Sequence, residues 1–223
     1  MLCPKGDHLK PLFITATNTN VGKTYTTLRL IDALSKRGYR VGVFKPIETG
    51  VIDEPQDAQK LLESVSKHNP YFANLTPKDI TAYTFRLPAA PFCAGEGIKL
   101  EVIFAKFQEL SRECDTLLIE GAGGLMVPIF KEYFMIDLIK DLGAKALLVT
   151  SSKLGTINDT MLSLEALKHR AIEHEWVVNL HEEKEHFTSV TQPFFDAYFG
   201  DFLRLPEDID RLVERLIREN TQG

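Results

Sequence analysis

No apolar run in this chain approaches the length of a membrane span, which argues against a membrane-crossing helix. Positive charge is not in excess either: 26 Lys and Arg against 31 Asp and Glu leave a net charge of −5. No general attraction to nucleic acid or to an anionic membrane is therefore expected. Cysteine is limited to Cys3, Cys93 and Cys114, without metal-ligand or disulfide spacing, which suits a reducing compartment. Residues 1–11 carry Lys5, Asp7, His8 and Lys10 and lack the apolar stretch of a secretory signal. They are expected to be a short extension, disordered or leading into a strand, on a cytoplasmic protein. No repeat, low-complexity tract or Gly/Pro/Ser-rich linker divides the rest, so residues 12–223 are expected to form one domain. No Ser-His-Asp arrangement can be argued. His181 and His186 are five positions apart where a zinc-protease helix needs four, so their segment reads as charged surface.

What is present is an ordinary globular composition, 44% hydrophobic and 26% charged, over 223 residues, enough for one well-buried domain. Short apolar runs at Leu12–Ile14, Arg40–Phe44, Thr116–Ile119, Ala146–Thr150 and Trp176–Val178 read as buried strands, with Phe202–Leu205 a weaker sixth. Amphipathic stretches at Thr24–Lys36, Asp57–Val65, Leu100–Glu113, Ile157–His169, Thr191–Tyr198 and Glu207–Asn220 read as helices. Asn69 to Gly97, with four prolines, reads as the longest irregular part. This alternation predicts a single doubly wound α/β domain with a mostly parallel sheet, and the Gly22-Lys23-Thr24 turn between its first strand and first helix makes the expected fold P-loop NTPase-like.

Val21-Gly22-Lys23-Thr24 lies between the first strand and the first helix. A loop opening onto a helix N-terminus presents unpaired N–H groups and the positive end of the helix dipole, a ready phosphate site. Lys23 would add a charge beside the β/γ-phosphates and Thr24 a hydroxyl for Mg²⁺. The generic phosphate loop opens with a glycine separated by four residues from its Gly-Lys pair, and Thr17 stands there.

In such a sheet ligands bind beyond the carboxyl ends of the strands. The second strand is expected to be followed by Lys45-Pro46-Ile47-Glu48-Thr49-Gly50, and Asp57 to begin the next helix. Lys45 reads equally as a solvated surface charge, and Asp57 as an N-cap or as a metal ligand. The third strand ends in Glu120-Gly121-Ala122-Gly123-Gly124, a carboxylate well placed for Mg²⁺ followed by glycines that allow close backbone approach. An incidental Glu in a tight turn is the plainer alternative. The fourth strand runs into Ser151–Asn158 and the fifth ends at Asn179.

Together these segments resemble the dethiobiotin synthetase family, over most of the chain from Phe13 to about Asn179. Thr15–Thr24 is similar to the family's Thr-Gly-Thr-Asp-Thr-x-Val-Gly-Lys-Thr loop, Lys45–Gly50 to its Lys-Pro-x-x-Ser-Gly, and Asp57-Ala58 to its Asp-Ala. Pro88–Pro91 resembles its Pro-x-Ser-Pro, with Glu96-Gly97 following. Glu120–Gly124 matches outright, and Lys153–Asn158 matches the segment at the family's dimer interface. Ala16 stands for the family's glycine, Asn18 for an aspartate and Thr49 for a serine. Leu180 departs from the family's polar pair after Asn179, and the guanine-reading Asn-Lys-x-Asp motif is absent.

The resemblance implies an ATP-dependent enzyme of biotin biosynthesis. It carboxylates an amine of 7,8-diaminononanoate with CO2, phosphorylates the carbamate and closes a ureido ring, giving dethiobiotin, ADP and phosphate. Lys23 and Lys45 are the implied catalytic cations, with Thr24, Asp57 and Glu120 holding Mg²⁺. Asn20, Val21, Gly22, Lys23, Thr24, Tyr25, Asp57, Glu120, Gly121, Ala122, Gly123 and Asn179 are the implied nucleotide contacts, with ATP or another NTP as co-substrate. Thr17, Lys45, Thr49 and Gly123 would bind the diamine acid, and Asn158 would reach across from the second subunit of a homodimer. Lys45→Ala is expected to leave folding intact and to remove product formation. The rival readings are a partitioning-type ATPase or maturation GTPase, and a nucleotide-binding scaffold with a degenerate site.

Overall fold

Strand and helix alternate in the computed structural model, which describes residues 8–220, with side chains to residue 218. β1 (Leu12–Ala16) leads into α1 (Lys23–Lys36), and β2 (Val41–Thr49) into α2 (Gln56–Val65). β3 (Thr81–Phe85) leads into the short α3 (Pro91–Ala94) and α4 (Leu100–Ser111). β4 (Thr116–Glu120) precedes a hairpin, β5 (Pro128–Phe130) and β6 (Tyr133–Phe134), and then α5 (Met135–Asp141). β7 (Lys145–Ser151), α6 (Thr156–His169) and β8 (His174–Asn179) follow. The chain then forms α7 (Lys184–His186), a π-helical turn (Phe187–Thr191), α8 (Gln192–Phe199), β9 (Leu203–Leu205) and α9 (Ile209–Asn220).

Seven of the strands form one sheet in the order β3-β2-β4-β1-β7-β8-β9, every pairing parallel. β1 and β4 are buried along their whole length, which is why they read as unbroken apolar runs. Phe13, Ile14, Val43, Phe44, Leu118 and Ile119 meet in the central core. α1 turns Leu30, Ile31 and Leu34 inward, at the helical spacing of its sequence. The crossover from β1 runs past β4 to β2, whereas that from β4 runs past β1 to β7, so the connections from these two neighbours leave in opposite directions. The carboxyl end of β1 is therefore the switch point at which an open α/β sheet forms a crevice.

Several boundaries differ from the sequence reading. β2 does not stop at Phe44. It pairs with β4 over Val41–Phe44 and then with β3 over Lys45–Thr49, so Lys45 lies within the strand. The stretch from Asn69 to Gly97 is not irregular throughout, since it contains two 3₁₀ turns, Phe72–Asn74 and Pro77–Ile80, then β3 and α3. The β5–β6 hairpin and α5 were not anticipated. Of the expected extension, residues 1–7, with Cys3, Lys5 and Asp7, lie outside the described residues, while Leu9 is buried and donates its N–H to Asp115 O at 3.0 Å.

Candidate active site

A cavity of about 600 Å³ opens beyond the carboxyl ends of β1, β2 and β4. Its floor is the loop after β1. Asn20 and Gly22 are left-handed (φ 59° and 101°), and this double reversal swings the chain into α1. A Cβ on Gly22 would overlap Asn179 Nδ2, so glycine is required on steric as well as backbone grounds. Thr26 and Thr27 return their hydroxyls to Gly22 O and Lys23 O, both at 2.9 Å, tightening the first turn. Lys23 is buried along its stem and its Nζ donates to Asn18 O at 3.4 Å, spanning the loop. Burial, followed by repulsion from Lys45, lowers its pKa to about 8. Ala16, where the resembled family has glycine, remains in β1 paired with Val149, so the departure falls at the end of the strand.

Above the loop sits a buried ionic cluster. Lys45 is 3% exposed, and its Nζ donates to Glu120 Oε1 at 2.7 Å, Asp57 Oδ2 at 3.2 Å and Gly121 O at 3.4 Å. Glu120 is fully buried; its Oε1 also accepts the Thr24 hydroxyl at 3.0 Å, and its Oε2 accepts the Thr27 hydroxyl at 2.9 Å. Burial alone would lower the Lys45 pKa, but attraction to Glu120 and then Asp57 outweighs it and holds the ammonium protonated well above the ordinary lysine range. For Asp57, burial pulls upward and the Lys45 charge more than compensates, so its carboxylate titrates below the usual range. The solvated-lysine reading of Lys45 is thus excluded. So is the N-cap reading of Asp57: the cap position is Pro55, and Asp57 lies in the first turn.

Glu48 escaped the sequence reading. It is buried in β2 and accepts the N–H of Asp57 at 2.8 Å and of Ala58 at 3.0 Å, with burial raising its pKa. Thr27 escaped it too, although its place three residues after Thr24 puts both hydroxyls on one helix face. The glycines after Glu120 serve packing as well as access. A Cβ on Gly124 would lie 3.0 Å from Ala16 O, so this turn rests directly on the chain entering the phosphate loop.

Thr19, Asn20, Gly22, Lys23, Thr24, Lys45, Thr49, Asp57, Gly121, Ala122 and Gly123 all face the cavity, together with residues 88–91. Thr17 and Asn158 are not brought to it. Thr17 Oγ1 is buried and lacks a hydrogen-bond partner among the described residues. Asn158 is exposed on α6 and donates to Asp159. Val21, Tyr25 and Asn179 instead line a smaller recess of about 90 Å³, which shares Asn20 and Gly22 with the main cavity. There Asn179 Nδ2 donates to Val21 O at 3.0 Å, while its buried Oδ1 lacks a partner among the described residues. The Tyr25 and His181 rings lie nearly parallel across the recess, 6.0 Å apart.

Two carboxylates, Asp57 and Glu120, thus flank the Lys45 ammonium, and the Thr24 hydroxyl joins them through Glu120 Oε1. That is a hard-oxygen donor set of the kind Mg²⁺ takes, and it stands beside the phosphate loop. Among the described residues no three His, Cys, Asp or Glu side chains converge, so an ion held here would draw its other ligands from phosphate and water.

A protein-family model described as an AAA domain matches residues 10–210. ATP-dependent dethiobiotin synthetase BioD of Sulfurovum sp. (strain NBC37-1) is 56% identical over 210 residues, covering 93% of this chain and 100% of that protein. The protein of the same name from Wolinella succinogenes is 40% identical over 214 residues, covering 94% and 99%. Among solved structures, the MinC:MinD cell division protein complex of Aquifex aeolicus superposes with a TM-score of 0.55 at 16% identity, over 96% of this chain and 94% of that one. This last likeness shows a shared fold alone.

Proposed function

The chain belongs to the family of ATP-dependent dethiobiotin synthetases, and from that membership we propose how its own residues divide the work. It carries out ATP-dependent synthesis of dethiobiotin, a cyclo-ligase reaction of biotin biosynthesis. One amine of 7,8-diaminononanoate adds to CO2 and loses a proton, giving a carbamate. A carbamate oxygen then takes the γ-phosphoryl group and ADP leaves. The second amine attacks the carbamate carbon and loses a proton, phosphate departs, and the ureido ring closes. Each stage gathers negative charge on carbamate or phosphate oxygens, so fixed cations can supply much of the catalysis.

The observation that carries the assignment is the buried Lys45 ammonium, held between Glu120 and Asp57 and facing the cavity a short way from Lys23. In this reading Lys23 and the amides from Asn20 to Thr24 bind the β- and γ-phosphates. Lys45 stabilises the carbamate and its phosphorylated form. Thr24, Asp57 and Glu120 would hold Mg²⁺, which when bound would neutralise phosphate oxygens and aid departure of ADP. Gly121, Ala122 and Gly123 line the wall along the polyphosphate. The recess at Tyr25 and Asn179 takes the base, where the unpartnered Asn179 Oδ1 offers an acceptor to an exocyclic amino group. Thr49, with Gly123, faces the diamine acid, and Thr17 supports that end of the loop. Asn158 would act across a homodimer, for which the exposed Leu154 beside it supplies an apolar contact. ATP is the co-substrate. No helix of the described residues is long and apolar enough to cross a membrane, in keeping with a cytoplasmic enzyme.

The geometry changes one expectation. Lys45→Ala would strand the buried Glu120 without its cation, a change that typically costs about 3–5 kcal/mol of stability. Lys45→Gln also removes the cation but leaves an N–H donor in the space, so its stability cost should be the smaller of the two. It is expected to fold, by circular dichroism, and to lose dethiobiotin turnover by a factor on the order of 10²–10³. Turnover within a few-fold of wild type in folded Lys45→Gln would remove Lys45 from its role.

A further inference from the structure

We infer that Glu48 is a positioning residue of the reaction: its carboxylate caps the start of α2 from the neighbouring strand and so fixes Asp57 against Lys45. This rests on the reading of Asp57 as a magnesium ligand. The first turn of a helix leaves its N–H groups without intrahelical acceptors, and a polar side chain at the N-cap usually meets one of them. Here the N-cap is Pro55, which has no side-chain acceptor. Glu48 takes over the task from a distance, one oxygen accepting the Asp57 N–H at 2.8 Å and the other the Ala58 N–H at 3.0 Å. The pair is bidentate, and the negative charge lies at the positive end of the helix dipole.

What this cap holds in place is not only the helix. Asp57 follows a connection, residues 50–55, whose own ties are to β3 and its approach, Val51 N–H to Phe85 O at 3.0 Å and Glu54 to Lys78 at 2.7 Å, while Ile52 is 75% exposed. The Asp57 carboxylate nevertheless meets Lys45 Nζ at 3.2 Å, within the same cavity. The two backbone bonds from Glu48 join β2, which carries Lys45, to the turn that carries Asp57. The ammonium and its carboxylate partner are thereby referenced to one strand. Glu48 also lines the cavity, but each of its oxygens already accepts an amide of the α2 turn, and it is through that turn that it positions Asp57.

The test is Mn²⁺ binding, followed by electron paramagnetic resonance, to the full chain with a non-hydrolysable ATP analogue, and it requires no turnover. Glu48→Gln keeps the size but retains one acceptor oxygen; Glu48→Ala removes both; Asp57→Asn reports the ligand itself. Loss of a group that orients a metal ligand typically weakens metal affinity about 10–100-fold. We expect weakening of that order in Glu48→Gln and Glu48→Ala, alongside weakening in Asp57→Asn. Lowered kcat for dethiobiotin with an unchanged KM for the diamine should accompany it. Glu48 variants that bind Mn²⁺ within twofold of wild type while Asp57→Asn does not would reduce Glu48 to a helix cap and overturn the inference. Unchanged binding in Asp57→Asn would overturn the ligand reading beneath it, and the inference with it. If Glu48→Ala does not fold, Glu48→Gln decides.

Discussion

Gly22 is the residue at which two parts of the proposed nucleotide site constrain each other. Its φ of 101° excludes most side chains, and Asn179 occupies the space a Cβ would need. Gly22→Ala should therefore push the phosphate loop and the base recess apart, weakening ATP binding by at least about tenfold, or about 1.4 kcal/mol. Two causes are separable by calorimetry in a double-mutant cycle. In an Asn179→Ala background the steric part of the loss should disappear, leaving the backbone strain. Strict additivity of the two substitutions would show that the close approach has no energetic weight. The same scale explains why charge, rather than any nucleophile, dominates this site. Lys23 and Lys45 share a small space with Glu48, Asp57 and Glu120, and one further cation or a polyphosphate would shift that balance. Lys23, Thr24 and Glu120 were legible in the sequence because strand, loop and helix limit where their side chains can go. Glu48 was not, because its partners are backbone amides of another element, which no side-chain pattern announces.

Elements were legible in proportion to their burial. β1, β4 and β7 are enclosed by the sheet, so their apolar runs stand out from the polar turns around them. β3 is an edge strand, half-buried for most of its length and flanked by prolines, and its alternation Thr-Ala-Tyr-Thr-Phe is too brief to read. The second half of β2 was hidden for a different reason. Lys45 and Glu48 look like surface residues in sequence, yet ion pairing and capping let both be buried there. α5 has only 7 residues, less than two full heptad faces, and is begun by Asp137 accepting the Phe134 N–H at 2.9 Å. Near the C-terminus α8 depends on an aromatic cluster. Phe195 is fully buried, with ring centroids 5.5 Å from Phe187, 5.4 Å from Phe202 and 5.8 Å from Trp176. Phe195→Ala should cost about 3–5 kcal/mol in urea unfolding, the range for a large aromatic removed from a core. A loss under about 1 kcal/mol would mean that this cluster collapses without penalty.

For the whole molecule, a single sheet places the loop after β1, the ionic cluster and the recess at Tyr25 and Asn179 along one edge, the carboxyl ends of its central strands. That arrangement leaves Asn158 and Leu154 outside the cavity of their own chain, on the surface at the start of α6. The homodimer reading predicts sedimentation at twice the chain mass at micromolar concentration, and Leu154→Glu should shift it toward monomer. A monomer in the wild-type protein would leave Asn158 without a role. The most direct test of the central claim is product formation from ¹³C-bicarbonate, 7,8-diaminononanoate, Mg²⁺ and ATP, read by mass spectrometry. The account predicts dethiobiotin carrying one ¹³C in its ureido carbon, one ADP and one phosphate per ring closed, with ATP at least matching the other NTPs. Folded protein that hydrolyses or binds nucleotide yet yields no labelled dethiobiotin with any NTP would contradict it.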